Sequence, residues 1–236
     1  MTVLRWVGCW RCVWRRAWLL FLVLVLLFPA LLRSDWVLQF DRLEAAMVRQ
    51  FATDRLPILR AWQAELLTLH SVSDYEKIQR VNLFFHRHVR YRTDMALYGQ
   101  EDYWATPLEL LGHGLGDCED WAIAKYVSLR HLGIADEQLR LIYVRARIGG
   151  PSSQITQAHM VLGYYSSANA EPLILDSLIS SVLPASERDD LTPVFSFNSA
   201  GLWAGQGAQR ANSSPTARLS RWRSVLERMQ QDGVQF

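Results

Sequence analysis

Residues 117–131 read DCEDWAIAKYVSLRH, a run of good helix formers followed closely by Gly133, a residue type that commonly ends helices. Cys118 therefore lies in the first turn of a predicted helix. Unpaired backbone N–H groups and the helix dipole at this end lower the pKa of a thiol, and the same N–H groups can bind a developing oxyanion. Cys118 is thus a candidate nucleophile, although a lone buried cysteine is more often a small hydrophobic residue.

The pattern changes from helices before this segment to strands after it. Apolar residues at three- and four-residue spacings predict helices over 34–52, 53–70, 73–89 and, at the end of the chain, 219–231. Short β-branched and aromatic segments predict strands at Leu139–Ile148, His159–Tyr165, Pro172–Leu175 and Val194–Phe197. Residues 91–116 read as a loop with a short helical turn, and the Gly-, Ala- and Ser-rich residues 198–217 read as mobile. This order predicts an α+β fold, with N-terminal helices packed on a small antiparallel sheet.

Two further residues could complete a catalytic group with the thiol. His159 begins one predicted strand and Asp176 follows the next, so adjacent antiparallel strands could bring the two side chains together. The carboxylate would then orient the imidazole as general base, in the chain order of papain-like enzymes but with Asp in place of Asn. His113 is a competing base, yet its glycine neighbours favour a solvated loop residue. Taken singly, each of these residues also has an ordinary structural explanation.

Three carboxylates, Asp117, Glu119 and Asp120, bracket the thiol. Their negative charges would raise the pKa of Cys118, which works against a nucleophile unless a cation offsets them. Calcium accepts clustered carboxylates in irregular geometry, so the three residues are candidate Ca²⁺ ligands. The alternative is that acidic residues simply stabilise the start of a helix through its dipole.

The overall composition is that of a globular protein of 236 residues, half hydrophobic and one fifth charged. Its net charge of +2 is uneven, because residues 1–32 carry four Arg and no acid, which leaves 21 basic against 23 acidic groups in the remainder. This balance predicts no nucleic-acid partner. Of the three cysteines, Cys9 and Cys12 lie in the N-terminal segment, so no disulfide framework is expected.

The N-terminal segment predicts export from the cytoplasm. Sixteen residues, 17–32, carry no charge and follow Arg15 and Arg16, and as a helix they would span about 24 Å. The positive-inside rule leaves the N-terminus in the cytoplasm and exports the rest. We expect an uncleaved membrane anchor over residues 1–33 and one domain over 34–236. A cleaved signal peptide is the alternative, although no pair of small residues of the A-x-A kind follows the apolar run.

Five segments carry a resemblance to a known family. They read YWATPLELLGHGLGDCEDWAIAKYVSLRHLG, LRLIYV, QAHMVLGYY, EPLILDS and LPASERDDLTPVFSFN. Over about residues 73–203 the chain resembles the bacterial transglutaminase-like cysteine proteinases, and more narrowly the LapG-type periplasmic proteases. The resemblance implies a papain-like, transglutaminase-like core and a catalytic triad of Cys118, His159 and Asp176. It also implies Ca²⁺ near Asp117, Glu119 and Asp120.

The same resemblance implies a biological role. Such proteases act in the periplasm, cut a large surface adhesin near its N-terminus at a small-residue site with paired alanines, and so release cells from a biofilm. An inner-membrane receptor that senses cyclic-di-GMP sequesters them. Two alternatives remain open from the residues: acyl transfer from glutamine to an amine by the same triad, and a module that binds an adhesin or receptor without catalysis.

Overall fold

The structure is a computed structural model that describes residues 36–205 and 219–236. The predicted membrane segment and most of the Gly-, Ala- and Ser-rich stretch lie outside these residues. Within them, every helix is too short or too polar to cross a membrane. The helices are α1 Phe40–Phe51, α2 Leu56–Leu69, α3 Asp74–His88, α4 Asp94–Tyr98, α5 Pro107–His113, α6 Cys118–His131 and α7 Ser220–Asp232.

Most of the strands form one six-stranded antiparallel sheet, in the order β7-β6-β5-β4-β8-β9. The strands of this sheet are β4 Leu139–Arg147, β5 Thr156–Tyr164, β6 Leu173–Leu175, β7 Leu183–Pro184, β8 Leu191–Phe197 and β9 Leu202–Ala204. Short pairs elsewhere are β1 Val37–Leu38 with β10 Val234–Gln235, and β2 Arg90–Tyr91 with β3 Leu115–Gly116. The predicted combination of N-terminal helices with an antiparallel sheet is confirmed.

Helix α6 forms the centre of the core. All of its residues except Glu119 and His131 are buried, because α3 and α5 pack on it from one side and β4 and β5 from the other. A helix enclosed in this way has no solvent-facing polar stripe, which explains why its sequence is apolar on most sides. The sheet and the N-terminal helices therefore hold the first turn of α6 in a fixed position.

The structure departs from the predicted boundaries where distant segments pair. The first helix begins at Phe40 and not near residue 34, because Val37 and Leu38 pair with the end of the chain in β10. The last predicted strand begins three residues earlier, at Leu191, because it extends along β4. His113 is the last residue of α5 and is not part of a flexible loop, and its ring packs edge-on against Phe51.

Parallel pairing of β2 with β3 fixes the backbone directly before Cys118. Arg90 and Tyr91 pair with Leu115 and Gly116, directly before the N-cap residue of α6. A Cβ atom on Gly116 would lie 2.7 Å from Asp120 Oδ2, so glycine leaves room for this buried carboxylate. Backbone pairing thus joins the two ends of the predicted loop over residues 91–116.

Candidate active site

Cys118 is the first residue of α6, as predicted, and is 9% exposed. Burial raises the pKa of its thiol well above the ordinary value, and the charges of Glu119 and Asp117 add to this, while a hydrogen bond from the backbone N–H of Met160 opposes it. The thiol donates a hydrogen bond to Glu119 Oε2 with a separation of 2.9 Å. Cys118 is therefore held as a neutral thiol in this arrangement of carboxylates.

His159 and Asp176 are in direct contact. His159 Nε2 lies 2.7 Å from Asp176 Oδ1, and both side chains are buried. This bond occupies Nε2 and leaves Nδ1 as the ring nitrogen available to accept a proton. His159 lines the same pocket of about 280 Å³ as Cys118. The structure thus brings the three residues of the predicted triad into one site, whereas His113 does not line this pocket.

Asp176 is held by more donors than the sequence indicated. Its Oδ1 also accepts the backbone N–H of Leu178, and its Oδ2 accepts a hydrogen bond from Arg188 Nη2 at 2.6 Å. Burial alone would raise the pKa of Asp176, but the hydrogen bonds from His159, Leu178 and Arg188 hold it well below the usual range. Asp176 is therefore an anion over the whole physiological pH range.

Arg188 connects two carboxylates and is a functional candidate that sequence reasoning missed. It is 5% exposed and forks onto Asp190 with bonds of 2.9 and 2.8 Å, while its Nη2 also bonds to Asp176. The only local signal is the run Arg188-Asp189-Asp190, which gives no indication of a contact twelve residues away. The ion pair fixes Asp176 from the side opposite the imidazole.

The backbone carbonyl of Asp176 is also fixed, by two further basic side chains. Lys125 Nζ and His86 Nε2 donate to it with separations of 2.8 and 2.9 Å. Complete burial lowers the pKa of Lys125 to about 7, and the negative charge of Asp176 opposes this shift. Lys125 follows Cys118 by seven residues, so the helical period placed both on one face of α6, a signal that the sequence analysis did not use.

The carboxylates beside the thiol form a larger cluster than the sequence indicated. Carboxylate oxygens of Asp94, Asp117 and Asp120 lie within 4.8 Å of one another, and so do those of Asp94, Asp102 and Glu119. Asp94 and Asp102 were missed because β2 and β3 bring them to the site from more than a dozen residues upstream. Glu119 groups with Asp94 and Asp102 or with Asp117 and Cys118, so the three predicted ligands do not form one set. The name acid cluster is used below for Asp94, Asp102, Asp117, Glu119 and Asp120.

The acid cluster fits a hard cation. Burial and neighbouring carboxylates raise the pKa of Asp94 to about 6 and of Asp117 to about 9, and that of Asp120 lies well above its usual range because of burial. Asp94 Oδ1 and Asp117 Oδ1 are buried without a hydrogen-bond donor. Buried carboxylate oxygens with no donor need either protons or a cation. An all-oxygen set of several carboxylates is the kind that calcium prefers.

The remaining walls of the pocket are partly apolar. They include Tyr91, Met95, Trp104, Tyr143 and Met160. Tyr91 and Met95 are exposed, so an extended chain can approach the thiol from this side. The site can therefore accept a peptide against an apolar rim, with an acidic cluster, a thiol and an oriented imidazole at its base.

The chain is similar to one known protein family and to solved structures of one protein. The family model described as bacterial transglutaminase-like cysteine proteinase BTLCP matches residues 62–190. Legionella pneumophila LapG matches with 34% identity over 82% of this chain and 98% of that chain, with a TM-score of 0.68. Its EGTA-treated form matches with 35% identity and a TM-score of 0.69, over the same shares. Its calcium-bound form matches with 35% identity over 80% and 98%, with a TM-score of 0.68. The comparison with curated proteins finds no match.

Proposed function

Because the chain belongs to the bacterial transglutaminase-like cysteine proteinases, we propose that it is a calcium-dependent periplasmic cysteine endopeptidase with a Cys118–His159–Asp176 triad. The observation that carries the catalytic part is the hydrogen bond from His159 Nε2 to Asp176, in a pocket shared with the thiol at the start of α6. An imidazole oriented by an anion beside a thiol is the arrangement that nucleophilic catalysis by cysteine requires.

The first half of the reaction forms a thioester. His159 Nδ1 takes the proton of Cys118, and the thiolate attacks the carbonyl carbon of the scissile peptide bond. The backbone N–H of Cys118 and its neighbours at the start of α6 donate to the resulting oxyanion. The tetrahedral intermediate collapses with cleavage of the C–N bond, and the amine leaves with the proton from the imidazolium. Asp176 stabilises this imidazolium and fixes its tautomer.

The second half releases the acyl group. Water gives a proton to His159 Nδ1 and attacks the thioester carbonyl, and cleavage of the C–S bond returns the proton to the Cys118 sulfur. A primary amine in place of water would give acyl transfer. The residues in the pocket serve both acceptors equally, so the acceptor is decided by the assay below.

Calcium is proposed to bind at the acid cluster, through Asp94, Asp117 and Asp120 or through Asp94, Asp102 and Glu119, the two sets of carboxylates whose oxygens lie within 4.8 Å of one another. When bound, it would neutralise the negative charge that raises the pKa of Cys118. The match to calcium-bound LapG supports this assignment, as do the two buried carboxylate oxygens without donors.

The substrate, location and partner follow from the family resemblance. We propose that the substrate is a large surface adhesin cut near its N-terminus at a small-residue site with paired alanines, so that the enzyme controls biofilm attachment and dispersal. The residues after the N-terminal segment would lie in the periplasm, held at the inner membrane by an uncleaved helix. An inner-membrane cyclic-di-GMP receptor would sequester the enzyme.

The test is incubation of the full-length protein with an N-terminal adhesin fragment, in calcium, with and without a fluorescent primary amine. We expect two fragments of defined size and no fluorescence in them. Fluorescent fragments would identify a transferase. Binding without cleavage, unchanged in the matched Cys118→Ala variant, would identify a non-catalytic module and overturn the proposal.

A further inference from the structure

A second pocket lies on the face of the sheet that points away from α6. Leu141 of β4 belongs to the main core with α6, whereas its neighbour Ile142 belongs to a separate apolar cluster with Ile174 on the other face. The pocket there has a volume of about 520 Å³, a size suited to one or two side chains of a ligand. It shares no lining residue with the catalytic pocket.

Arg140 supplies the charge of this second pocket. Its Cζ lies 4.2 Å from the ring centre of Trp203 and 4.7 Å from that of Tyr165, so two aromatic rings hold the guanidinium. Its Nε is buried and has no hydrogen-bond acceptor, and a buried donor without an acceptor costs free energy. None of the described residues that line the pocket carries a carboxylate. Arg140 is therefore a positioned cation that lacks its anion.

The other walls are apolar or small and polar. The apolar ones are Ile142, Pro172, Ile174 and Pro193, and the polar ones are Asn169, Ser186 and Ser196. Gly163 stands directly opposite Arg140 in β5. A Cβ atom there would lie 2.7 Å from Ile142 Cδ1, so a side chain would displace this lining residue. Glycine thus preserves the shape of the pocket.

The acid beside the pocket, Glu171, lies between the lining residues Ala170 and Pro172, and its carboxylate accepts the backbone N–H of Ser186. Residues 206–218, which continue from the lining residue Gly205, contain no Asp or Glu, and residues 1–34 contain none either. Arg140 is thus open to an anion from another molecule. A single planar guanidinium held by aromatic rings suits a carboxylate, which it can bind through two parallel N–H bonds, whereas nucleic acid requires a cluster of basic groups.

We propose that this pocket docks an acidic segment of a partner protein, with one Asp or Glu side chain on Arg140 and an adjacent apolar side chain over Ile142 and Ile174. The apolar walls favour a protein segment over a free small acid, because an apolar side chain next to the carboxylate can be buried against them. This site is separate from the catalytic pocket, so its failure would leave the proposed protease activity untouched.

The experiment follows the Nε–Hε NMR signal of Arg140 in the full-length protein, assigned by its loss in Arg140→Gln. The probes are acetyl-Leu-Asp-Leu-amide, the matched acetyl-Leu-Asn-Leu-amide, and acetate. We expect a saturable downfield shift with the Asp peptide alone, unchanged in the control Arg145→Gln, which removes an exposed arginine of the same strand. The shift should disappear in Ala168→Trp, which blocks the exposed mouth of the pocket.

Three results would overturn the proposal. An equal shift with the Asn peptide would show that the carboxylate is not recognised. An equal shift with acetate at the same concentration would identify a site for free carboxylates and not for a protein segment. No shift at the solubility limit of the Asp peptide would show that Arg140 does not bind an anion.

Discussion

Removal of Arg188 tests how the triad is held. Arg188→Met leaves the Asp176 Oδ2 without its donor, in a site where both side chains are at least 95% buried. Breaking one buried ion pair costs about 3–5 kcal/mol, and the lower end applies because His159 and Leu178 still donate to Asp176. For a domain of this size about 3 kcal/mol corresponds to a fall in Tm of roughly 6–12 °C.

The same variant should change the pH dependence of catalysis. Without Arg188, Asp176 loses one of the hydrogen bonds that oppose the effect of burial, so its pKa rises and the carboxylate protonates at a higher pH. A protonated Asp176 has lost the negative charge that stabilises the imidazolium of His159, so the acid limb of kcat/KM should move to higher pH. At neutral pH we expect kcat/KM to fall by about 10–100-fold, which is typical for the loss of a residue that orients a functional side chain. Arg188→Lys should restore only part of the lost kcat/KM, because a single ammonium group cannot make two hydrogen bonds to Asp190 and also bond to Asp176.

The assay combines kcat/KM on the adhesin fragment with the rate of alkylation of Cys118, both measured from pH 5 to 9. Arg60→Met is the matched control, because it removes a forked ion pair to Glu44 at the surface, and it should change stability by less than about 0.5 kcal/mol. A folded Arg188→Met protein with the wild-type acid limb would refute the reasoning, since Asp176 would then keep its charge without Arg188.

The remaining predictions concern the nucleophile, its partners, the metal and topology. Cys118→Ala and His159→Ala should abolish cleavage in folded protein, whereas His113→Ala should have a mild effect, as measured on the adhesin fragment. Asp176→Asn should lose less activity than Cys118→Ala, because an orienting residue costs less than a nucleophile. A chelator of divalent cations should inhibit cleavage of the adhesin fragment, and added calcium should restore cleavage better than added magnesium. In the presence of a chelator, the Tm should fall as the pH rises from about 4 to about 9. The reason is that the carboxylates of the acid cluster, with a pKa of about 9 at Asp117, bind more protons in the folded protein than in the unfolded protein. A Tm that does not change with pH would contradict this. A periplasmic reporter fused after Ser34 should be active and should sediment with the inner membrane.

The sequence was sufficient for those parts of the site that depend on local pattern. Helix formers before Gly133 placed Cys118 at the start of a helix, and strand-like segments placed His159 in one strand and Asp176 directly after the neighbouring strand. Helix α6 is enclosed on all sides, so its sequence shows no amphipathic stripe, and it was predicted from its helix-forming residues and the glycine that follows them.

The sequence was insufficient where contacts join distant segments. Asp94 reaches Asp117 only through the parallel pairing of β2 with β3, and a two-residue pairing leaves no periodic trace in the sequence. Arg188 reaches Asp176 from an irregular turn, where neither hydrophobic spacing nor a motif constrains the direction of a side chain. The positions of such supporting residues depend on contacts between distant segments. Local sequence patterns therefore predict the residues of the proposed triad but not the side chains that position them.

Glu119 connects the acid cluster to the chemistry of the thiol. Its carboxylate accepts the hydrogen of Cys118 and also lies within reach of Asp94 and Asp102. These two roles compete, because a carboxylate oxygen that faces a cation is no longer free to hold the thiol proton. In the proposed enzyme, calcium at the acid cluster would therefore both lower the charge beside Cys118 and withdraw the competing acceptor, which leaves His159 Nδ1 as the base. In that case the acidic residues that oppose a thiolate in the free protein would be the reason that thiolate formation depends on calcium.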